Sequence, residues 1–321
     1  MIFKIHTKEK IYLGIMFAIN MLFYTFFVRR LLVGLFYMFK FAGRDAILGM
    51  LVLLAYPVVF IALHFLGNLW LSGYLKGNAI NINREQFPDI FQILKDQSNK
   101  LGLKHIPNMY VLQGGGLLNA FAARLAGTHY VVLYSDVLEV AYQEGRSAVE
   151  FIIGHELGHI KRGHVSGLKS LLLLPARLIP FLRSAYSRAC EYTCDNIGYA
   201  LSPEGAEKGI LILAAGKELY KKVNVNVLLA EAQNQKGLAF WFAEIFSTHP
   251  HLVNRVASLR QLQQASTLAD SFVINPAKHL AQSQPLGFKE KEDAYKVLAS
   301  HKDFYGSPEK ANENNNQVTK S

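Results

Sequence analysis

Apolar residues are concentrated in two long segments near the N-terminus. Residues 11–28 form an 18-residue stretch without a formal charge, and residues 46–71 form a 26-residue one. About 20 consecutive apolar residues allow a helix to cross the hydrocarbon core of a bilayer. The pattern therefore predicts two transmembrane helices. The apolar residues 31–39 either extend the first helix or lie in the membrane interface. A cleaved signal peptide fits poorly, because no small-residue cleavage site follows the first stretch.

The rest of the chain is divided into shorter elements. Six segments are expected: a linker at 72–84, an amphipathic helix at 87–101, strands at 109–112 and 130–134, and helices at 147–163 and 184–201. The strands are runs of β-branched and aromatic residues bounded by turn signals, and the helices show apolar residues at helical spacing. These elements predict an α+β fold that is mainly helical and contains a small β-sheet.

The segment at 168–182 is apolar but interrupted. It contains two basic residues and two prolines. It is too short for a confident span, and proline interrupts a helix. We expect it to lie in the membrane interface or to line a groove.

Composition and charge are typical of a membrane protein. The chain is 51% hydrophobic and only 18% charged, and its mean hydropathy is +0.15. Half of its net charge of +10 is carried by residues 1–45, which contain seven basic and two acidic side chains. Basic residues beside apolar segments indicate a lipid bilayer, and not a nucleic acid, as the partner. Basic residues are nearly equal in number on the two sides of the spans, so their count leaves the orientation open.

The sequence HELGH at 155–159 carries the candidate chemistry. On a helix, two histidines four residues apart project from one face, so His155 and His159 can bind one Zn²⁺ through neutral imidazoles. Glu156 lies beside them, where it can take a proton from a water at the metal. The apolar residues at 148–153 give the helix a strongly buried side, which would hold the ligands rigidly. The alternative is a helix with two incidental histidines.

A catalytic zinc site needs a third protein ligand and keeps one position open for water. His164 lies five residues after His159, which is about 140° around a continuing helix and therefore on the wrong face. Glu191 is the better candidate. It shares a helical face with Asp195, so that Asp195 can hydrogen-bond a ligand imidazole. A solvent-exposed stripe of charged residues, or Cys194 as a softer ligand, are the alternatives.

Five motifs follow one another in the order found in a known family. They are Asn119-Ala120-Phe121-Ala122, the strand and turn YVVLYSDVLEV, HELGH, the stretch from Ser187-Arg188 through Glu191 to Asp195, and Ser247-Thr248-His249-Pro250 followed by Arg255. In these motifs, and in the two spans before them, the chain resembles the HtpX-like and CAAX prenyl endopeptidase family of membrane-bound zinc metallopeptidases, the gluzincins. The resemblance covers residues 108–257. It departs from the HtpX-like pattern in having only the short segment at 168–182 where two long hydrophobic segments are usual, and in having Cys194 where an alanine is usual.

The resemblance implies a zincin-type metallopeptidase domain with one Zn²⁺ per chain. The implied site residues are the metal ligands His155, His159 and Glu191, the base Glu156, the supporting Asp195, the substrate-binding Asn119 and Phe121, and the catalytic His249 and Arg255. Asn119 and an edge strand would align an extended peptide. His249 and Arg255 would stabilise the oxyanion or organise the substrate pocket. The alternatives are a plain turn at Asn119 and a surface turn at His249.

The implied activity is endoproteolysis by a water that zinc and Glu156 activate, directed at membrane or misfolded proteins in quality control. Two alternatives remain open. One is a membrane-anchored binding or adaptor protein with a structural metal site closed by four ligands. The other is a CAAX-type processing protease, although that branch typically encloses its site with more spans.

The expected organisation has three parts. They are a membrane anchor at 1–75, a zinc metallopeptidase domain at 85–282, and a polar, partly disordered C-terminal tail at 283–321. The family places its catalytic domain on the cytoplasmic side of the cell's inner membrane, as a multi-pass protein. The two cysteines, Cys190 and Cys194, lie one helical turn apart, and free thiols favour such a reducing compartment.

Overall fold

The computed structural model describes residues 3–41, 43–115, 119–143, 145–234 and 237–274. The end of the expected peptidase domain, at 275–282, and the expected polar tail at 283–321 lie outside the described residues. The described part is mainly helical and contains one small mixed sheet, so the predicted fold class is confirmed.

Two long helices open the fold. α1 is Thr7–Phe41 and α2 is Arg44–Asn78, so the apolar residues 31–39 continue the first helix. Both contain a segment long and apolar enough to cross a membrane, at Thr7–Met38 and Val58–Asn78. Their large apolar side chains are mostly exposed, a surface that lipid accepts more readily than water does.

The predicted linker at 72–84 is wrong. α2 continues through these residues to Asn78, and the first strand follows at Ile80–Ile82. The end of α2 packs against the sheet: Leu75 is fully buried, and the hydroxyl of Ser72 lies 3.1 Å from that of Tyr130. This tertiary contact outweighs the weak helix propensity of the local glycine and asparagine residues.

The sheet has four strands in the order β1-β2-β4-β3. Their bounds are Ile80–Ile82 (β1), Asn108–Leu112 (β2), Ala120–Leu125 (β3) and Thr128–Tyr134 (β4). β2 and β4 are parallel and the other two pairs are antiparallel, and β2 and β4 confirm the two predicted strands. In the hairpin turn between β3 and β4, Ala126 and Gly127 have positive φ angles of 47° and 84°, as a tight two-residue turn requires. This hairpin places β3 at an edge of the sheet.

Ten further α-helices follow α2. They are α3 (Pro88–Lys100), α4 (Ser135–Gln143), α5 (Arg146–Lys161), α6 (Gly167–Leu172), α7 (Leu174–Arg177), α8 (Pro180–Leu201), α9 (Ala206–Ala215), α10 (Val225–Asn234), α11 (Leu238–Phe246) and α12 (Leu252–Ile274), counted within the described ranges. α3, α5 and α8 confirm the three helices predicted after the spans.

α5 and α8 cross closely, because glycines line their contact. A Cβ atom at Gly198 would lie 2.9 Å from the ring of Phe151, and one at Gly158 would lie 3.3 Å from the Cα atom of Cys194. α5 runs through the middle of the hydrophobic core, where Phe151 and Leu157 are almost completely buried. Close packing on all sides fixes the distance between the two helices that carry the metal-ligand candidates.

The segment at 168–182 packs along α1. Met16 of α1 forms a buried cluster with Leu173 and Ala176, and the side-chain oxygen of Asn20 accepts a hydrogen bond from the backbone N–H of Ala176 at 3.1 Å. On the opposite side the segment is open, and Leu178 is 73% exposed. No residue of this segment is among those that line the cavity described below.

Candidate active site

His155 and His159 lie on one face of α5, and Glu191 approaches them from α8. The two histidine Nε2 atoms are 3.3 Å apart, and carboxylate oxygens of Glu191 lie 3.5 Å from Nε2 of His155 and 3.4 Å from Nε2 of His159. Ligand atoms placed tetrahedrally around zinc, at bond lengths of about 2.0–2.1 Å, are about 3.3 Å from one another. The three side chains thus have the spacing of three corners of one tetrahedral metal site.

Asp195 orients the ring of His155. Its Oδ1 atom lies 2.9 Å from Nδ1 of His155, so the ring donates from Nδ1, and Nε2, which faces Glu191, is the nitrogen left to bind a metal. Arg255 on α12 donates two hydrogen bonds to the same carboxylate, at 2.8 and 2.6 Å. Arg255 also lies 3.9 Å from Glu191. Sequence reasoning missed both the pairing of Arg255 with Asp195 and its position beside the ligand group.

The charges around the ligand group favour a cation. Burial by itself lowers the pKa of His155, yet the carboxylates of Asp195 and Glu191 raise that pKa to about 10. Burial would raise the pKa of Glu191, but His155 and His159 hold it well below its usual range. A divalent metal at the three ligand atoms would compensate the buried carboxylates as a protonated ring does. The donor set and its electrostatics therefore fit a zinc ion.

A cavity of about 290 Å³ lies in front of the ligand group. The expected site residues among its lining are His155, Glu156, His159, Glu191, Asn119, Phe121, His249 and Arg255. Asp195 is the one expected residue that does not line it, because it lies behind His155. Glu156 is only 6% exposed, so its carboxylate is held in a nearly enclosed position. The fold thus brings site residues from positions as far apart as 119 and 255 together at one cavity.

Strand β3 forms one wall of this cavity. Asn119 directly precedes the strand, its side-chain oxygen accepts a hydrogen bond from the N–H of Ala120 at 2.9 Å, and its carbonyl accepts one from Tyr134 at 3.0 Å. Phe121 is partly buried on the strand, with its ring 6.4 Å from that of Tyr134. In the described part of the sheet β3 pairs with β4 alone, so its outer backbone groups are free to pair with an extended peptide.

His249 lies at the mouth of the cavity, on the loop between α11 and α12. Its side chain is 67% exposed, and its Nε2 atom lies 3.9 Å from an oxygen of Glu191. The hydroxyl of Thr248 lies 3.1 Å from its Nδ1 atom. The imidazole is therefore close enough to the ligand group to contact a molecule bound there.

Comparison with known families decides the identity. The family model described as Peptidase family M48 matches residues 84–175 and 166–263, which is more than half of the chain. The chain belongs to peptidase family M48. The matched region includes the HELGH motif, Glu191, Asp195, His249 and Arg255. The predicted membership of the HtpX-like and CAAX protease family is confirmed, and the chain is a metalloprotease.

This M48 peptidase is similar to several known proteins. A protease HtpX homolog from Dictyoglomus turgidum is 25% identical over 247 residues, covering 61% of this chain and 79% of the relative. A protease HtpX homolog from Helicobacter acinonychis is 23% identical over 267 residues, covering 71% and 84% respectively. Among solved structures, the crystal structure of S. mikatae Ste24p matches with a TM-score of 0.43 and 15% identity, covering 77% of this chain and 66% of that chain.

Arg188 of the M48 peptidase holds the loop that carries His249. Its guanidinium donates hydrogen bonds to the carbonyl oxygens of Glu244, of Ile245 at 3.1 Å and of Ser247 at 2.7 Å. These carbonyls end α11, where a helix leaves its acceptors unpaired. Sequence reasoning found Arg188 in a family motif but not its partners, which lie 56–59 residues later.

His164 and Glu9 are a second pair that sequence reasoning missed. His164 lies behind His159, with its Nδ1 atom 3.2 Å from Nδ1 of His159. Its Nε2 atom lies 3.2 Å from an oxygen of Glu9, near the start of α1. Burial lowers the pKa of His164 to about 4, so its ring is neutral near neutral pH. The face argument that excluded His164 as third ligand agrees with this position, on the side of His159 away from Glu191.

Proposed function

We propose that the chain is a membrane-anchored zinc endopeptidase that cleaves membrane or misfolded proteins in quality control. The observation that carries the proposal is the group of three ligand side chains, in which the two Nε2 atoms lie 3.3 Å apart and each lies 3.4–3.5 Å from one of the two carboxylate oxygens of Glu191. This group shares a cavity with Glu156 and an edge strand, which is the arrangement a peptide-hydrolysing site needs.

In the proposal one Zn²⁺ is held by His155, His159 and Glu191, with Asp195 behind His155. Bound zinc would lower the pKa of water and polarise a peptide carbonyl. The set has three ligand-type residues within the described chain, which leaves the fourth position that a catalytic zinc needs. A structural site would instead be closed by four protein ligands.

Glu156 is proposed as the general base. It takes the proton from the attacking water and passes it to the leaving amine. Its position supports this role, because Glu156 directly follows the ligand candidate His155 and lines the same cavity as the ligand group. Asn119, Phe121 and the outer edge of β3 align the substrate backbone.

His249 and Arg255 are proposed to act beside Glu191, from which each lies 3.9 Å away. The exposed imidazole of His249 donates a hydrogen bond to the oxygen on which negative charge develops. Arg255 organises the pocket through Asp195 and adds positive charge 3.9 Å from Glu191. The 3.9 Å separation of His249 from Glu191 supports its nearness to the reacting carbonyl.

The proposed organisation is an anchor at 1–75, a peptidase domain at 85–282 and a polar tail at 283–321. The membrane is the inner membrane of the cell, crossed more than once, with the peptidase domain on the cytoplasmic side. Two apolar helices and the free, buried Cys190 and Cys194 support this placement. Protease accessibility of the domain in intact and opened cells tests it.

The experiment that tests the proposed activity combines zinc content with casein cleavage for the purified full-length protein. We expect one zinc per chain, with Glu156→Gln keeping the zinc and losing cleavage. Glu150→Gln on the same helix is the matched control, since Glu150 pairs with Arg146 at 3.1 Å and is partly exposed. Undiminished cleavage by Glu156→Gln would refute the assignment of the base, and a four-ligand metal without activity would favour a structural site.

A further inference from the structure

A chain of hydrogen bonds runs from the first apolar helix to one of the metal-ligand candidates. It starts at Oε1 of Glu9 on α1, passes 3.2 Å to Nε2 of His164, and continues 3.2 Å from Nδ1 of His164 to Nδ1 of His159. The side chains of Glu9, His164 and His159 are 0%, 6% and 17% exposed. The contacts are therefore shielded from competing water.

One arrangement of protons satisfies all of these contacts. A carboxylate only accepts hydrogen bonds, so His164 donates to Glu9 from Nε2. A neutral imidazole with its hydrogen on Nε2 accepts at Nδ1, and that acceptor takes the hydrogen bond from Nδ1–H of His159. Nε2 of His159 then keeps the lone pair, and this is the atom 3.4 Å from Glu191.

We propose that Glu9 and His164 are positioning residues for His159: together they fix its tautomer, hold its ring, and make its Nε2 atom a better metal ligand. The inference rests on the proposed function, because it takes His159 as a zinc ligand. The same logic applies to Asp195 and His155, where a carboxylate contacts the ligand ring directly. At His159 the carboxylate acts through an intervening residue, His164. This carboxylate comes from α1, outside the region 84–263 that the M48 family model matches.

The buried carboxylate of Glu9 also helps to hold the start of α1 against the rest of the protein. A carboxylate removed from water is strongly disfavoured unless it is paired and hydrogen-bonded. Arg162 supplies the pair, with Nη2 at 3.0 Å and Nε at 3.3 Å from the oxygen that also contacts His164. The docked position of the start of α1 is thus stabilised by the same contacts that reach His159.

Glu9 and His164 are not assigned to a second metal site. Glu9, His164 and Cys190 lie close enough together to hold an ion, but the guanidinium of Arg162 already neutralises Glu9. The thiol of Cys194 lies 3.6 Å from Nδ1 of His164, and burial raises its pKa well above the usual value. A neutral thiol is a weaker donor to that nitrogen than the N–H of His159.

The test uses the full-length protein in detergent and three variants: Glu9→Gln, His164→Leu, and the two combined. Zinc affinity is measured by competition with a chelator, and the visible absorption spectrum is recorded after loading with Co²⁺. Loss of an outer partner of a ligand histidine weakens metal binding about 10–100-fold. We expect a weakening of this size for each single variant, with altered Co²⁺ bands. The double variant should be no weaker than the more affected single variant, because Glu9 acts through His164.

Asn20→Ala is the matched control. Asn20 is another buried polar residue of α1, and within the described residues its side chain hydrogen-bonds Met16 of the same helix and Ala176, so its loss loosens α1 without touching the hydrogen-bond chain. We expect its zinc affinity to stay within about twofold of wild type. Folded Glu9→Gln and His164→Leu variants with wild-type affinity and spectrum would overturn the inference, as would an equal loss in Asn20→Ala. If the inference fails in this way while wild type still binds zinc, the proposed function is unaffected. A wild-type protein that binds no zinc would refute the proposed function itself.

Discussion

Arg255 and Asp195 form a two-point ion pair directly behind the ligand group. The guanidinium donates to both carboxylate oxygens, at 2.8 and 2.6 Å, and the two side chains are 13% and 2% exposed. Asp195 can therefore hold the ring of His155 while its own charge is neutralised from the other side. The charge of Arg255 also keeps the pKa of Asp195 below its usual value, against the effect of burial.

Replacing Arg255 should damage both stability and metal binding. Arg255→Gln leaves the charge of Asp195 buried without its partner, which costs about 3–5 kcal/mol in folding free energy. Zinc affinity should fall as well, because the orientation of His155 is lost. Thermal unfolding and chelator competition measure the two effects. Arg260→Gln on the same helix is the control: its pair with Glu207, at 2.8 Å, is partly exposed on both sides and contributes at most about 1 kcal/mol. Equal stability of the two variants would contradict the prediction.

Zinc binding should release a proton from His155. In the metal-free protein its pKa is raised to about 10, and a metal binds only the neutral ring. Binding at pH 8 should therefore release about one proton per zinc, and the apparent affinity should rise about tenfold per pH unit between pH 7 and 9. Calorimetry in two buffers of different ionisation enthalpy counts the protons.

The same raised pKa has a consequence for the metal-free protein. Because the folded-state pKa of about 10 exceeds the unfolded value of 6.5, the proton on His155 stabilises the fold fully below pH 6.5, and this contribution is lost as the pH rises towards 10.

Asp195→Asn removes one of the two carboxylates that raise the pKa of His155, so zinc binding to this variant should release less than one proton at pH 8. Zinc binding without proton release at pH 8 in wild type would be incompatible with this account.

Loss of Arg188 should affect the His249 loop but not the metal. Arg188→Ala removes the donor to three carbonyls at the end of α11, so hydrogen exchange across residues 244–251 should become faster, by about tenfold for each 1.4 kcal/mol of local stability lost. Casein cleavage should fall if His249 contacts the substrate, and zinc content should stay at one per chain. Unchanged exchange in this loop would show that Arg188 does not hold it.

Gly205 should tolerate no side chain. A Cβ atom there would lie 1.8 Å from the carbonyl oxygen of Ser147, at the start of α5. Backbone cannot move away as a flexible side chain can, so Gly205→Ala should cost about 3 kcal/mol or more. Gly167→Ala is the control, since its Cβ atom would meet nothing within 4 Å. Equal melting temperatures for the two variants would contradict the packing seen at α5.

The metal-ligand group could be predicted because its information is local. The helical period places His155 and His159 on one face, and the same period places Glu191 and Asp195 on one face of α8. Hydrophobic patterns likewise revealed α3, α5, α8, β2 and β4. β1 and the end of α2 were missed, because a three-residue strand and a glycine-containing helix end have little local signal and depend on packing against Tyr110 and Tyr130.

Contacts between distant residues could not be predicted. Glu9 meets His164 across 155 positions, and Arg255 meets Asp195 across 60. No periodicity within one element relates such residues, and each of these side chains alone is as compatible with a solvated surface. Arg255 was therefore found in a motif, with the expected role of stabilising the oxyanion or organising the substrate pocket, but its hydrogen bonds to Asp195 were not foreseen.

The contacts of α1 with the rest of the protein extend along its axis. They begin at Glu9, continue through Met16 and Asn20, and end where the hydroxyl of Tyr24 donates to backbone carbonyls of α6. These positions span about 22 Å of helix. A peptidase part that is attached to α1 along such a length cannot rotate relative to it, as a domain on a flexible linker can. The mouth of the cavity consequently keeps a fixed orientation relative to this helix. Polypeptides can therefore enter it only from a restricted set of directions, so the direction of approach as well as the sequence selects the substrate.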